Sequence, residues 1–233
     1  MNSDPVSTGC DALDELLGGG IEREAVTQVY GQPAAGKTNI ALSTAITNAA
    51  TGDKTIYIDT EGISADRFEQ IAKQQATGDV DEIASNVIIK EATTFEEQHG
   101  AIQEVEEIVS QASLIVVDSA TGFYRLQRDK EAEEGESLRE IANQIVHLLG
   151  LARKQNTAVL ITNQVFTDPE KEQVRPLGGH TLKHWTATVL RVDRFRGGNR
   201  RATLEKHRSQ PAGKSVTFQI TKKGIQSGDT PSR

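Results

Sequence analysis

Five short apolar runs punctuate the first two thirds of the chain: VTQVYG (26–31), KTIYID (54–59), VIIKEA (87–92), LIVVDSA (114–120) and AVLITNQV (158–165). They are rich in β-branched residues and bounded by polar ones, the pattern of buried strands. Between them lie stretches with apolar residues at helical spacing, near 39–50, 64–76, 95–111 and 137–155. In the last, Leu138, Ile141, Ile145, Leu148 and Leu149 recur at i, i+3 and i+4 intervals. Such alternation predicts an α/β fold with a mostly parallel central sheet flanked by helices. After residue 185 the texture changes. TATVLRVDRF (186–195), RATLEKHR (201–208) and SVTFQITKKGI (215–225) read as C-terminal antiparallel strands, the first two joined by a tight turn at Gly197-Gly198-Asn199. No linker divides the chain, so one domain is expected over 1–225, with residues 226–233 a disordered tail. Two polar loops, near 131–137 and 166–180, leave the carboxyl ends of the fourth and fifth strands, where ligand sites in open α/β sheets form. The first is read as a solvated loop ending in a helix cap near Ser137.

Between the first strand and the first of these helical stretches stands GQPAAGKT, residues 31–38. This is the spacing of a phosphate-binding loop, in the strand-to-helix context that the loop requires. Gly31 and Gly36 permit backbone angles that other residues resist. The loop Gln32-Pro33-Ala34-Ala35 can therefore curl its free N–H groups around a phosphate at a helix N-terminus. Lys37 would reach the β- and γ-phosphates of ATP, and the Thr38 hydroxyl would hold Mg²⁺. Asp118, after the apolar LIVV, is the expected carboxylate on the metal side. Ser119 follows it, so the adjacent Asp-Glu pair of many ATPases is missing. Glu61, just past the second strand, is the candidate to position an attacking water. Gln164, at the end of the fifth strand, could sense the γ-phosphate and pass its presence to the following loop.

With 25% charged and 36% hydrophobic residues and 20 glycines, the 233-residue chain reads as soluble and globular. No apolar run approaches the roughly 20 residues needed to span a bilayer. The N-terminus has neither the basic region nor the apolar core of a signal peptide. A single cysteine, Cys10, suits a reducing cytoplasm and reads as a buried structural residue. A formal charge of −7 argues against nucleic acid at face value. The charge is uneven, however: residues 191–208 hold seven Arg or Lys against two acids, a local +5 on a body of −12. Arg200, Arg201, Lys206, His207 and Arg208 are thus the candidate DNA contacts, with Lys206 and Arg208 on one face of a strand. His207 has no second donor at ligand spacing and is no metal ligand, and Trp185 reads as core.

STGCDALDELLGGGI, YIDTEG, LIVVDS and ITNQV, taken together in this order, resemble the RecA/RadA recombinase core over nearly the whole chain. KHRSQPAGKSVTFQITKKGI (206–225) is similar to the archaeal RadB group, short RadA paralogues without the N-terminal DNA-binding domain. The resemblance implies a RecA-like phosphate-loop ATPase core in a cytoplasmic protein of DNA repair and recombination. It further implies DNA binding, weak ATP hydrolysis, no strand exchange, and action beside the RadA recombinase and a Holliday-junction resolvase. The resemblance implies that Arg67 stacks on adenine as in related proteins, and an exposed helix arginine stays open as the alternative reading. Two departures stand out: Ala34 and Ala35 where such loops carry Gly and Ser, and Glu24 where a glycine is common. The chain starts almost at the core, leaving no room for the Phe-x-x-Ala linker that polymerises RadA, although a homo-oligomer is compatible with the pattern. Two alternatives stay open: a DNA-stimulated recombinase or helicase ATPase, and a signalling ATPase of the KaiC type without a DNA partner.

Overall fold

A computed structural model describes residues 4–75, 79–124, 134–168 and 173–228. In chain order the elements are α1 (Asp11–Leu17), β1 (Ala25–Gly31), α2 (Lys37–Ala50), β2 (Lys54–Asp59), α3 (Ala65–Ala72), α4 (Val80–Ser85) and β3 (Val87–Glu91). There follow α5 (Phe95–Ile108), β4 (Ala112–Asp118), α6 (Glu134–Gln155), β5 (Ala158–Asn163), β6 (Val165–Asp168), β7 (Gln173–Pro176) and α7 (Gly179–Trp185). The chain closes with β8 (Thr188–Arg194), β9 (Arg200–Lys206), β10 (Ser215–Thr221) and β11 (Gly224–Ser227). A nine-stranded sheet runs in the order β11-β10-β9-β8-β1-β5-β4-β2-β3, and β6 and β7 form a separate hairpin. From β8 to β3 the neighbours are parallel; β9, β10 and β11 are antiparallel additions.

Each central strand is buried on both faces, which is why the runs read as continuous rather than alternating apolar sequence. On one face Val29, Tyr57, Leu114, Val116, Leu160 and Leu190 pack with α1, α2, α3 and α4. On the other, Val26, Ile58, Val117 and Ile161 meet α5, α6 and α7, and here the helical stripe Ile141, Ile145, Leu148 and Leu149 is buried. Local signals start two of the helices. Ser64 Oγ accepts the Arg67 N–H ahead of α3, and Thr94 Oγ1 accepts the Glu97 N–H ahead of α5.

Several sequence expectations need correction. β8 pairs parallel with β1 and antiparallel with β9, so it belongs to both parts of the sheet. The polar stretch after β5 holds the β6–β7 hairpin and α7 rather than a plain loop. Helix α6 starts at Glu134, before Ser137, which is buried inside it rather than capping it. Residues 131–133 of that stretch lie outside the described residues. Gln226 and Ser227, assigned to the tail, belong to β11 because they pair with Gln219 and Phe218. Cys10 is buried as expected, and burial pushes its thiol pKa up. Trp185 is 38% exposed at the end of α7, with its ring edge-on to His184 at 5.0 Å, so it is not core.

Candidate functional site

The loop between β1 and α2 follows the switch point of the sheet, where β1 has β5 on one side and β8 on the other. Gly31 is required there by close approach: a Cβ would stand 2.1 Å from the Val192 carbonyl oxygen of β8. Gly36, the residue before α2, has φ +112°, and a Cβ on it would meet Ile220 Cδ1 at 2.9 Å. Ala34 takes φ +59°, so the alanine occupies a left-handed backbone that glycine adopts more cheaply. Lys37 is 7% exposed and its Nζ donates to the carbonyls of Gly31 (3.0 Å) and Gln32 (3.3 Å). Burial lowers its pKa, against the raising pull of the Glu61 and Asp118 carboxylates. The loop, Glu61, Gln164, Arg200 and Ile220 line one cleft of about 500 Å³, within the usual range for small-molecule sites.

Asp118, at the end of β4, is buried, and the Thr38 hydroxyl lies near enough to lower its pKa. Burial raises the Asp118 pKa and the Glu61 charge adds to that, while hydrogen bonds from Thr162 and Tyr57 and the nearby Thr38 hydroxyl lower it. Tyr57 Oη donates to Asp118 Oδ2 at 2.9 Å, and Thr162 Oγ1 donates to Oδ1. Tyr57 and Thr162 reach Asp118 because β2 and β5 flank β4 in register, a placement with no local signal. Burial and this carboxylate keep the Tyr57 phenol far above its ordinary pKa. A neighbouring carboxylate does different work. Asp59 accepts the backbone N–H groups of Glu61, Gly62 and Ile63 at 3.1, 2.9 and 2.6 Å, which fixes the turn that presents Glu61 to the cleft. Across it, Gln164 Nε2 donates to Glu61 Oε1 at 3.0 Å. Thr121 Oγ1 donates to Asn163 Oδ1 and accepts the Gln164 N–H, and Asn163 Nδ2 donates to the Leu177 carbonyl. Those bonds tie the cleft to both ends of the β6–β7 hairpin.

Arg67 sits at the rim. It donates to Asn39 Oδ1 through Nε (3.0 Å) and Nη2 (2.8 Å), and to the Thr221 carbonyl through Nη1 (2.8 Å), with Gln70 as a further partner. Burial lowers its pKa. Asn39 lines the cleft, so Arg67 is held beside the start of α2.

The basic segment does not form a single patch. Arg191 pairs with Asp193 and Glu205. Arg200 lies in the cleft wall, and the Arg201 guanidinium sits 3.9 Å over the Phe195 ring. Lys206, at the other end of β9, donates to the carbonyls of Lys183 and Thr186, both at 2.6 Å, at the C-terminus of α7. His207 Nδ1 accepts the N–H groups of Ser209 and Gln210, which leaves Nε2 as donor to the Leu17 carbonyl closing α1. Arg208 pairs with Glu22 at 3.1 Å. The triplet 206–208 therefore braces three neighbouring segments, whereas the two arginines at the start of β9 stand at the end of the strand that faces the phosphate-loop cleft. Among the described residues no three His, Cys, Asp or Glu side chains are grouped to hold a metal ion by themselves. Nor is any described helix long and apolar enough to cross a membrane.

A Rad51 family model matches residues 4–228. The chain belongs to the Rad51 family. Its resemblance within that family is to the archaeal RadB group. The protein named DNA repair and recombination protein RadB from Halobacterium salinarum is 58% identical over 94% of this chain and 93% of its own length. That of Archaeoglobus fulgidus is 41% identical over 95% of this chain and 97% of its own. A solved structure described as the RadB recombinase superposes with a TM-score of 0.83 at 37% identity, covering 96% of this chain and all of that one. The RecA-like core expected from the sequence is thus the fold of this family member.

Proposed function

We propose that this chain is a cytoplasmic ATP-binding, DNA-binding protein of homologous recombination and repair, acting as a mediator of a RadA-type recombinase rather than as a strand-exchange motor. The observation that carries it is the Gln164–Glu61 hydrogen bond, which joins the phosphate-loop cleft to the β6–β7 hairpin. The names printed for its relatives supply the biological setting.

The residues present fit MgATP. Gly31, Gly36 and the left-handed Ala34 shape a loop of backbone amides at the N-terminus of α2, and Lys37 supplies charge to the β- and γ-phosphates. Thr38 and Asp118, neighbours at the start of α2 and the end of β4, would hold the metal. Bound Mg²⁺ would neutralise charge on the phosphate oxygens. Glu61 is placed to accept a proton from water, and Gln164 orients that carboxylate. Glu61 is exposed at the cleft mouth, which accords with slow turnover of the isolated chain. When Glu61 engages water at a γ-phosphate, its bond to Gln164 is the contact that must adjust, and the hairpin is next in line.

For DNA, the sequence points to Arg200, Arg201, Lys206, His207 and Arg208. The bracing roles of Lys206 and His207 move the emphasis to Arg194, Arg196 and Arg201 at the turn end of β8 and β9, beside the cleft. The deciding experiment measures ATP turnover with and without single-stranded and branched DNA while assembly state is followed by sedimentation. Slow turnover, DNA binding and stimulation of RadA-type strand exchange support the proposal. Strong DNA stimulation coupled to ATP-dependent assembly identifies a recombinase or helicase instead, and absence of DNA binding leaves a signalling ATPase. Binding assays with RadA and a Holliday-junction resolvase test the named partners directly.

A further inference from the structure

Arg200 is the first residue of β9, in an extension of the sheet far along the chain from the phosphate loop. The fold nevertheless brings it into the wall of the same cleft. Its Cγ lies 3.9 Å from the point where a Cβ on Gly36 would stand, against the last glycine before Lys37. Nη1 donates to the carbonyls of Gly198 (2.8 Å) and Asn199 (3.2 Å), which anchors one arm of the guanidinium on its own turn. Nε is buried and has no hydrogen-bond partner among the described residues. A buried donor left unpaired is costly, and a cationic one more so. Nor does Arg200 form an ion pair with any described carboxylate. An arginine in the wall of an anion-binding cleft, with a donor unused, matches one ligand chemistry best, a phosphate chain, whose oxygens accept the planar fork.

We propose that Arg200 is a second cation of the nucleotide site, supplied by the same chain, and that it binds the phosphates of the nucleoside triphosphate. The inference rests on the ATP-binding reading given above. It removes Arg200 from the DNA surface to which linear charge counting assigns it. It also gives a lone subunit two cations at the loop, Lys37 and Arg200, so that tight nucleotide binding does not wait for a neighbour's residue.

The test is calorimetric titration of MgATP into the parent, Arg200→Met and Lys37→Ala, at concentrations where sedimentation shows monomers. Methionine keeps an unbranched apolar stem against Gly36 and Ile220 and deletes the charge. Arg200→Met should weaken MgATP binding by about tenfold to a hundredfold, the effect of one lost charge-assisted hydrogen-bonding group, and leave DNA affinity at the parental value. Parental MgATP affinity in Arg200→Met beside clear loss in Lys37→Ala overturns the inference and leaves the ATP reading standing. A parent that binds no MgATP overturns both. Should Arg200→Met fail to fold, the parent alone decides: MgATP protects Arg200 from phenylglyoxal in a peptide map if the proposal holds, and unchanged modification of Arg200 sinks it.

Discussion

Gln164 donates its side-chain amide to the Glu61 carboxylate at 3.0 Å, and this one bond joins the turn after β2 to the residue linking β5 and β6. Glu61→Gln should keep a hydrogen-bonded contact with Gln164 and lose the proton acceptor. MgATP affinity then stays near the parental value while turnover falls by about a hundredfold or more, the usual weight of a general base. Gln164→Ala should leave the carboxylate in place and uncouple the hairpin, so basal turnover persists and any response to DNA disappears. A coupled ATPase assay with and without DNA reads both. Equal turnover in Glu61→Gln and parent removes Glu61 from the chemistry.

Lys206 and Arg208 are two residues apart yet should respond differently to truncation. Lys206→Ala deletes the ammonium that bonds both the Lys183 and Thr186 carbonyls and should cost about 1–2 kcal/mol, the net worth of two partly exposed hydrogen bonds. Arg208→Ala breaks an ion pair whose side chains are 51% and 36% exposed, and surface pairs contribute only about 0–1 kcal/mol. Urea unfolding separates them. If instead both variants keep parental stability and lose DNA affinity together with salt dependence, the triplet is a phosphate-binding surface after all.

Glu24 has φ +58°, a left-handed conformation that costs a non-glycine residue about 1–2 kcal/mol. Glu24→Gly relieves that strain, while the freer unfolded chain takes back about 0.4–1 kcal/mol, so a net gain of roughly 0.5–1 kcal/mol is expected. The Glu24 N–H bond to the Thr157 carbonyl at 2.9 Å is kept. A lower melting temperature in Glu24→Gly than in the parent refutes the strain argument.

Burial, and next to it the nearby Glu205 carboxylate, raise the Tyr30 pKa well above its ordinary value. The folded-state pKa exceeds the unfolded one, so the contribution is fully present below about pH 10 and is lost as pH climbs through the folded value. Tyr30→Phe should destabilise by about 1 kcal/mol at pH 8, and the gap between variant and parent should narrow above pH 10. Paired denaturant titrations at the two pH values measure it. A gap that widens with alkalinity contradicts the raised pKa of the buried phenol.

Much of this molecule is legible along the chain because its signals are local. The five buried strands announce themselves as short β-branched runs, and β1 followed by GQPAAGKT fixes where a phosphate loop must stand. Departures from glycine at Glu24 and Ala34 are visible too, and both fall on left-handed backbone. Where a residue type is read without its neighbours, the reading slips. Trp185 looks like core by composition, but it ends a short surface helix. β8 looks antiparallel from its hairpin with β9, and only its contact with β1, far away in sequence, makes it parallel on the other side.

The sequence by itself determined the α/β class and the place of the phosphate loop, and it nominated Lys37, Thr38, Glu61, Asp118 and Gln164 as a set, because strand period, backbone freedom and motif spacing act over a few residues. Only the tertiary structure decided what each charge meets. The segment 191–208 carries +5 in a row, yet β9 is seven residues long, and at about 3.3 Å per residue its ends lie roughly 20 Å apart. One end delivers Arg200 to the phosphate-loop cleft and the other delivers Lys206 to the last turn of α7. Electrostatic energy depends on distance through space, and the pairing of β9 between β8 and β10 sets those distances.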